Sequence, residues 1–287
     1  MSHPAFTLSP ARGLAGPLVF ASPHSGRDYP PELLAESPLG QRAIRSSEDA
    51  YVDELIADAP DLGVPLLTAR MPRAYVDLNR APEELDPALI EGLGKVAMNP
   101  RVAAGLGVIP RVVAQGQQIY RRRLSRAEAE DRIARIWQPY HAELGRLMDA
   151  AQAAHGMAVL IDWHSMPHEA LIGVSRGTDP APEVVLGDRY GAAAAPWITD
   201  RVEAAFTAAG FRVGRNTPFA GVYVSQAYGV PAANRHVVQV ELDRALYLHE
   251  GQLLRKPGFG QIRARLRAVM AEIATIGWPD VPGMAAQ

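Results

Sequence analysis

The stretch that most narrows the possible folds is Val159-Leu160-Ile161-Asp162-Trp163-His164-Ser165, an apolar run that ends in an acid and a histidine. A short unbroken apolar run near a glycine is the pattern of a strand buried on both faces, as in a sheet covered by helices. Alternation along such a strand sends Asp162 and His164 to the same side at its carboxyl end. Open α/β sheets bind their ligands at that end. An imidazole there, with a carboxylate two residues earlier, suits a metal ligand whose ring is oriented through its second nitrogen. The plainer alternative is a capped core strand whose histidine is only hydrogen-bonded.

Composition narrows the chemistry further. The 287 residues are 48% apolar, enough for a substantial core in a single α/β domain spanning 1–287. There is no cysteine, so disulfides and thiolate metal sites are excluded, and any metal must be held by His, Asp or Glu. Twenty-nine basic against thirty-one acidic residues give a formal charge of −2, which offers no general surface for nucleic acid. No apolar run is long enough to cross a bilayer, and Met1-Ser2-His3-Pro4 lacks the layout of a secretion signal. The expected compartment is the cytoplasm, with no membrane partner.

Along the chain, Pro17 to Ser22 reads as the first strand, ending at Pro23-His24-Ser25-Gly26. A short helix opens near Pro31. Ser46-Ser47-Glu48-Asp49 then supplies an N-cap and first-turn acids for a helix whose core face is Val52, Leu55, Ile56 and Ala59. Pro65 to Thr68 and Ala74 to Leu78 read as strands, the second leading into Asn79-Arg80. Pro82 to Gln118, rich in Pro and Gly, reads as a long excursion that walls or covers a site. Ser125 and Glu128 predict a capping box, followed by an apolar stripe from Ile133 to Leu147 that Pro139 kinks or breaks. Downstream come a strand at Ala170 to Gly173, a polar loop at Ser175 to Asp179, and a helix from Pro196 to Ala209 ending at Gly210. Strands follow near Phe211 to Val213, Gly221 to Val224 and His236 to Leu242, and a closing helix runs from about Gln261 to Ile276.

His24 and His164 each end a strand, so one sheet can bring them together. Glu48 or Asp49 supplies a third ligand, or else serves only to complement a helix dipole. Two histidines and one acid leave a coordination position open, as a hydrolytic zinc requires. Arg80 offers a planar fork for a carboxylate, with Asn79 beside it, unless it pairs with Glu83 or Glu84. Glu241 would be costly to bury alone. It either pairs with Arg244 or Arg235 or acts as a general base.

These motifs, in order, are Pro23-His24-Ser25-Gly26, Ser47-Glu48-Asp49-Ala50-Tyr51-Val52-Asp53, Asp77-Leu78-Asn79-Arg80, Asp162-Trp163-His164-Ser165 and Gln239-Val240-Glu241-Leu242. The succession resembles the N-formylglutamate amidohydrolase family from about residue 17 to 250. That family looks like a relative of the zinc carboxypeptidases. The resemblance implies a central mixed sheet flanked by helices, a phosphorylase/hydrolase-like α/β fold, one Zn²⁺ per chain, and hydrolysis of a short N-acyl amide of an amino acid. It implies His24, His164 and, of the acidic pair, Asp49 as metal ligands, Glu241 as general base, and Asn79 with Arg80 as the holder of the substrate carboxylate. Arg176 is the candidate for the oxyanion, and Arg122, Arg123 or Arg244 for a second substrate carboxylate. Ser47-Glu48-Asp49 stands where a threonine-aspartate pattern is commoner, which marks a divergent branch.

Overall fold

The computed structural model describes residues 4–13, 15–94, 99–174 and 180–277. Seven strands, β1 (Phe6–Ser9), β2 (Leu18–Ser22), β3 (Leu66–Ala69), β4 (Ala158–Met166), β5 (Val184–Gly187), β6 (Val213–Arg215) and β7 (Arg235–Asp243), form one sheet in the order β1-β3-β2-β4-β7-β5-β6. Four adjacent strands, β3, β2, β4 and β7, run parallel to one another. β1 and β5 each join antiparallel, so the sheet is mixed. The helices are α1 (Pro31–Glu36), α2 (Gln41–Ile44), α3 (Val52–Leu55), α4 (Pro100–Ala103), α5 (Arg126–Arg132), α6 (Gln138–His155), α7 (Pro196–Ala208), α8 (Tyr223–Tyr228) and α9 (Phe259–Ile273). This is the expected α/β class, a mixed sheet between helices.

Every residue of β4 is buried. Its alternation divides the core in two. Val159, Ile161 and Trp163 pack on one face with Val202 and Phe206 of α7 and Leu266 and Met270 of α9. Leu160 packs on the other with Tyr140, Leu144 and Met148 of α6. Each such side chain is worth ~1.5–3 kcal/mol when fully buried, so the register is strongly fixed, because a one-residue slip would exchange the faces. Asp162 and His164 continue the Leu160 face. Val237 of β7 lies on that face too, and Gln239 and Glu241 continue it. The pairing of β4 with β7 sets Asp162 opposite Gln239 and His164 opposite Glu241.

The capping box is present, with the Ser125 hydroxyl accepting from the Glu128 amide and the Glu128 carboxylate from the Ser125 amide. Pro139 does not break the helix. A π turn at Ile133–Trp137 joins α5 to α6 instead. Gly210, at φ +80, ends α7 as its position suggested.

Several elements differ from the sequence expectation. Ala74 to Leu78 is a run of turns, although apolar and buried, because its hydrogen bonds go to loops and side chains rather than to a neighbouring strand. Ala170 to Gly173 falls in a 3₁₀ turn (His168–Leu171) and the turn after it, and Gly221 to Val224 leads into α8. β1 and β5 were not foreseen. The helix after Asp49 begins only at Val52, with Tyr51 at its N-cap in the left-handed region (φ 64), so Glu48 and Asp49 stand in the preceding turn and not in a helical first turn. The polar loop Ser175 to Asp179 lies outside the described residues. No helix among the described residues is long and apolar enough to cross a membrane.

Candidate functional site

Three chain segments far apart in sequence meet at the carboxyl ends of β2, β4 and β7. His24 lies two residues beyond β2, and Asp49 follows from its own turn, its amide donating to the His24 carbonyl at 3.0 Å. His164 projects from β4. The Nδ1 atoms of the two imidazoles are 3.1 Å apart, and the Asp49 Oδ2 lies 3.0 Å from His164 Nδ1 and 3.5 Å from His24 Nδ1. All three residues are buried. They form a cluster whose ligand atoms all lie within 4.8 Å of one another.

The far sides of both rings fix what the near sides can do. His24 Nε2 sits 2.8 Å from Asp77 Oδ1, and His164 Nε2 sits 2.8 Å from Asp162 Oδ2. A carboxylate only accepts, so each ring carries its proton on Nε2 and presents a bare Nδ1 lone pair to the other. Two ring nitrogens and a carboxylate oxygen therefore converge in a buried space, an arrangement that needs a shared proton or a metal cation between them. Burial alone would lower the His164 pKa, but Asp162, Asp49 and Glu241 outweigh it and raise it well above the ordinary histidine value. Burial likewise would raise Asp49, yet His164, His24 and Arg244 hold it well below the usual carboxylate range. The field of the site thus draws in positive charge. The donor set of two nitrogens and one oxygen, without thiolate, fits zinc.

Around this cluster opens a cavity of about 630 Å³ lined by Arg73, Asn79, Arg80, Arg101, Glu241 and Arg244, among others. Glu241 has no ion-pair partner among the described residues. Its Oε1 accepts from Gln239 Nε2 at 2.8 Å. Burial pushes its pKa up from 4.5 to about 7, against the pull of His164. Asn79 places its Nδ2 3.3 Å from His164 Nε2 and accepts the Val224 amide at 2.8 Å. Arg80 is buried, donating from Nε to the Leu106 carbonyl (2.9 Å) and from Nη1 to the Asn79 carbonyl (3.0 Å). Glu84 stays 3.8 Å from Arg80 Nε, and Arg80 Nη2 has no hydrogen-bond partner among the described residues. Glu84 thus pairs with Arg80 only loosely through Nε, and the unbonded Nη2 of a buried guanidinium beside a cavity is equipped for an anionic ligand.

The remaining expected residues divide. Glu48 turns away from the cluster to a two-point pair with Arg45, at 2.9 and 3.0 Å. Arg244 lines the cavity, but its donors serve Asp49 Oδ1 (2.9 Å), Ser165 and the Ser46 carbonyl, so it orients Asp49 and pairs neither with Glu241 nor with open space. Arg235 pairs with Asp149. Arg122 binds Glu36 and Glu128, and Arg123 binds the Pro87 and Ile90 carbonyls, both away from the cavity. Arg176 lies outside the described residues. Four residues went unnoticed in the sequence reading or were given no role there. Arg73, four residues before Asp77, donates to Asp77 Oδ2 at 2.8 Å and faces the cavity. Asp77 itself, quoted only as part of a motif, is the partner of His24. Gln239 shares the strand face of Glu241, a period-2 signal available in the sequence. Arg101, on the long excursion, has no local signal and has no acid partner among the described residues. The excursion does wall the cavity, through Arg101, Leu106 and the Val112 to Gly116 turn.

Comparison with known proteins shows which proteins the chain as a whole is similar to. A family model described as N-formylglutamate amidohydrolase matches residues 16–248. A curated N-formylglutamate deformylase from Pseudomonas aeruginosa is 30% identical over 239 residues, 82% of this chain and 83% of that protein. One from Pseudomonas putida is 27% identical over 241 residues, 82% of each. Among solved structures, an N-formylglutamate amidohydrolase from Ralstonia eutropha JMP134 is 36% identical with a TM-score of 0.88, covering 94% of this chain and 97% of that one.

Proposed function

The chain belongs to the N-formylglutamate amidohydrolase family, and from that premise we propose that it is a zinc-dependent hydrolase removing the formyl group from an N-formyl amino acid such as N-formyl-L-glutamate. The single observation that carries this reading is the convergence of His24 Nδ1, His164 Nδ1 and Asp49 Oδ2 beside an unpaired Glu241 in one cavity. A metal ion held by those three atoms would supply Lewis acidity, making water nucleophilic near neutral pH and polarising the amide carbonyl.

The chain's own residues would do the rest. Glu241, in register with His164, accepts the proton of the attacking water and hands it to the departing amine. Asp77 and Asp162 hold the two imidazoles in the tautomer that presents Nδ1. Arg80 Nη2 receives the α-carboxylate, so that binding energy positions the amide. Arg73, anchored by Asp77, is the described cation suited to the developing oxyanion. Arg176 is a second candidate for that task. Arg101 is assigned to a second substrate carboxylate, because no acid among the described residues neutralises it.

Size favours a second reading as well. Formylglutamate is small for a cavity of about 630 Å³, which suits an amino acid deacylase with a larger acyl group, or a carboxypeptidase. The experiment is a panel of N-formyl-L-glutamate, N-formyl-L-glutamine, N-acetyl-L-glutamate and an N-blocked dipeptide. Formate release from the first at the highest kcat/KM is expected. Cleavage of the dipeptide with none of the formyl compounds would replace the proposal by a carboxypeptidase.

A further inference from the structure

Asn79 and Arg80 are carried by a segment with neither strand nor helix to occupy its backbone carbonyls. Buried carbonyls need donors from elsewhere. Here three in succession are met by side chains. The indole N–H of Trp137 donates to the Arg80 carbonyl at 2.9 Å, and His141 Nε2 to the Leu78 carbonyl at 2.9 Å. The Asn79 carbonyl between them takes the Nη1–H of Arg80.

Both outer donors come from one helical face, and a local irregularity lies beside them. Pro139 has no N–H for the carbonyl of Arg135, so the helical ladder is interrupted there. The π turn at Ile133–Trp137 absorbs the interruption, and such turns occur often at functional sites. Trp137 ends that turn and lies four residues before His141, so their rings stack 4.0 Å apart at 32°. Because the Leu78 carbonyl only accepts, His141 carries its proton on Nε2, while Nδ1 accepts from the Tyr228 hydroxyl at 2.9 Å. Burial pushes the His141 pKa down to about 4, so the ring is neutral at ordinary pH.

We propose that Trp137 and His141 are positioning residues for the carboxylate clamp, fixing the Arg80 and Leu78 carbonyls and so holding Asn79 and Arg80 at the cavity wall. This rests on the role proposed above for Arg80. A packing role alone would lower melting temperature and slow every substrate alike. A positioning role is selective for substrates with a free α-carboxylate.

The test measures formate release from N-formyl-L-glutamate and from its α-amide. The variants are Trp137→Phe, Arg80→Ala, the two combined, His141→Phe and His141→Gln. Trp137→Phe keeps an aromatic ring and removes the donor. Its KM for the free-carboxylate substrate is expected to rise about 5- to 10-fold, the worth of one neutral hydrogen bond, with kcat and the α-amide KM nearly unchanged. Added to Arg80→Ala it should cost nothing further, since changes that act through one contact are not additive. His141→Gln, which keeps a donor near Nε2, should restore most of what His141→Phe loses. Equal losses on both substrates, or a Trp137→Phe effect that multiplies that of Arg80→Ala, would overturn the positioning role and leave the clamp standing. If Arg80→Ala itself affects both substrates equally, the clamp reading fails and this inference with it. Should Trp137→Phe not fold, the two His141 variants decide by the same selectivity.

Discussion

At the residue scale, the two histidines and Glu241 show how neighbours assign chemistry. His164 and Glu241 sit side by side across β4 and β7, yet one ring is drawn toward positive charge by three carboxylates and the other side chain is pushed toward neutrality by burial. Glu241→Gln keeps the shape and the bond from Gln239, and removes the base. The rate is expected to fall by roughly 10²–10⁴ without loss of bound metal. Stability has a definite sign too. A carboxyl whose folded pKa is raised from 4.5 to about 7 contributes stability below about 4.5 that is lost as pH rises through about 7. Glu241→Gln should therefore melt no lower than the parent at pH 8, and relatively lower at pH 4. The acid limb of kcat/KM should lie at or below about pH 7. Melting curves at both pH values and a pH-rate profile check this, and a large destabilisation at pH 8 would mark Glu241 as a structural ion-pair partner. Spacing alone left Glu48 and Asp49 open, since adjacent acids have no local signal to separate them, and only the family resemblance favoured Asp49. In the structure the approach of Arg45 to Glu48 and of Arg244 to Asp49 separates them.

At the element scale, the strand calling for a site at its end was legible because burial on both faces leaves a plain record in β4 and β7. Among the segments that failed, Ala74 to Leu78 and Gly221 to Val224 are apolar for a different reason. They line the inside of the cavity wall or pack beneath it, and their backbones are held by side chains and loops that no period-2 pattern encodes. The turn after β2 is as tightly set. A Cβ on Gly26 would lie 2.1 Å from the Met71 carbonyl oxygen and 2.8 Å from the Arg70 carbonyl carbon, both backbone. Gly26→Ala must displace either His24 or the segment that carries Arg73 and Asp77. A loss of ~1–3 kcal/mol and weaker metal binding are expected, read by thermal melting and metal content. Gly145, inside α6 with open space where its Cβ would go, is the control. Gly145→Ala should stabilise by about 0.5–1 kcal/mol, and an equal loss at both positions would show that crowding at Gly26 is not the cause.

At the scale of the whole molecule, the sheet order brings residues from positions 24, 49, 79, 164 and 241 into one cavity, which no local window of sequence can reveal. Parallel pairing of β2, β4 and β7 aligns their carboxyl ends, and the long excursion closes the side the strands leave open. The most direct measurement is stoichiometric reactivation: protein stripped by a chelator is titrated with zinc while formate release from N-formyl-L-glutamate is followed. Activity is expected to be absent at the start, to rise linearly, and to level off at about one zinc per chain, with His164→Ala failing to recover at that ratio. Full activity in the stripped protein, or equal recovery by His164→Ala, would contradict a metal site built from His24, Asp49 and His164.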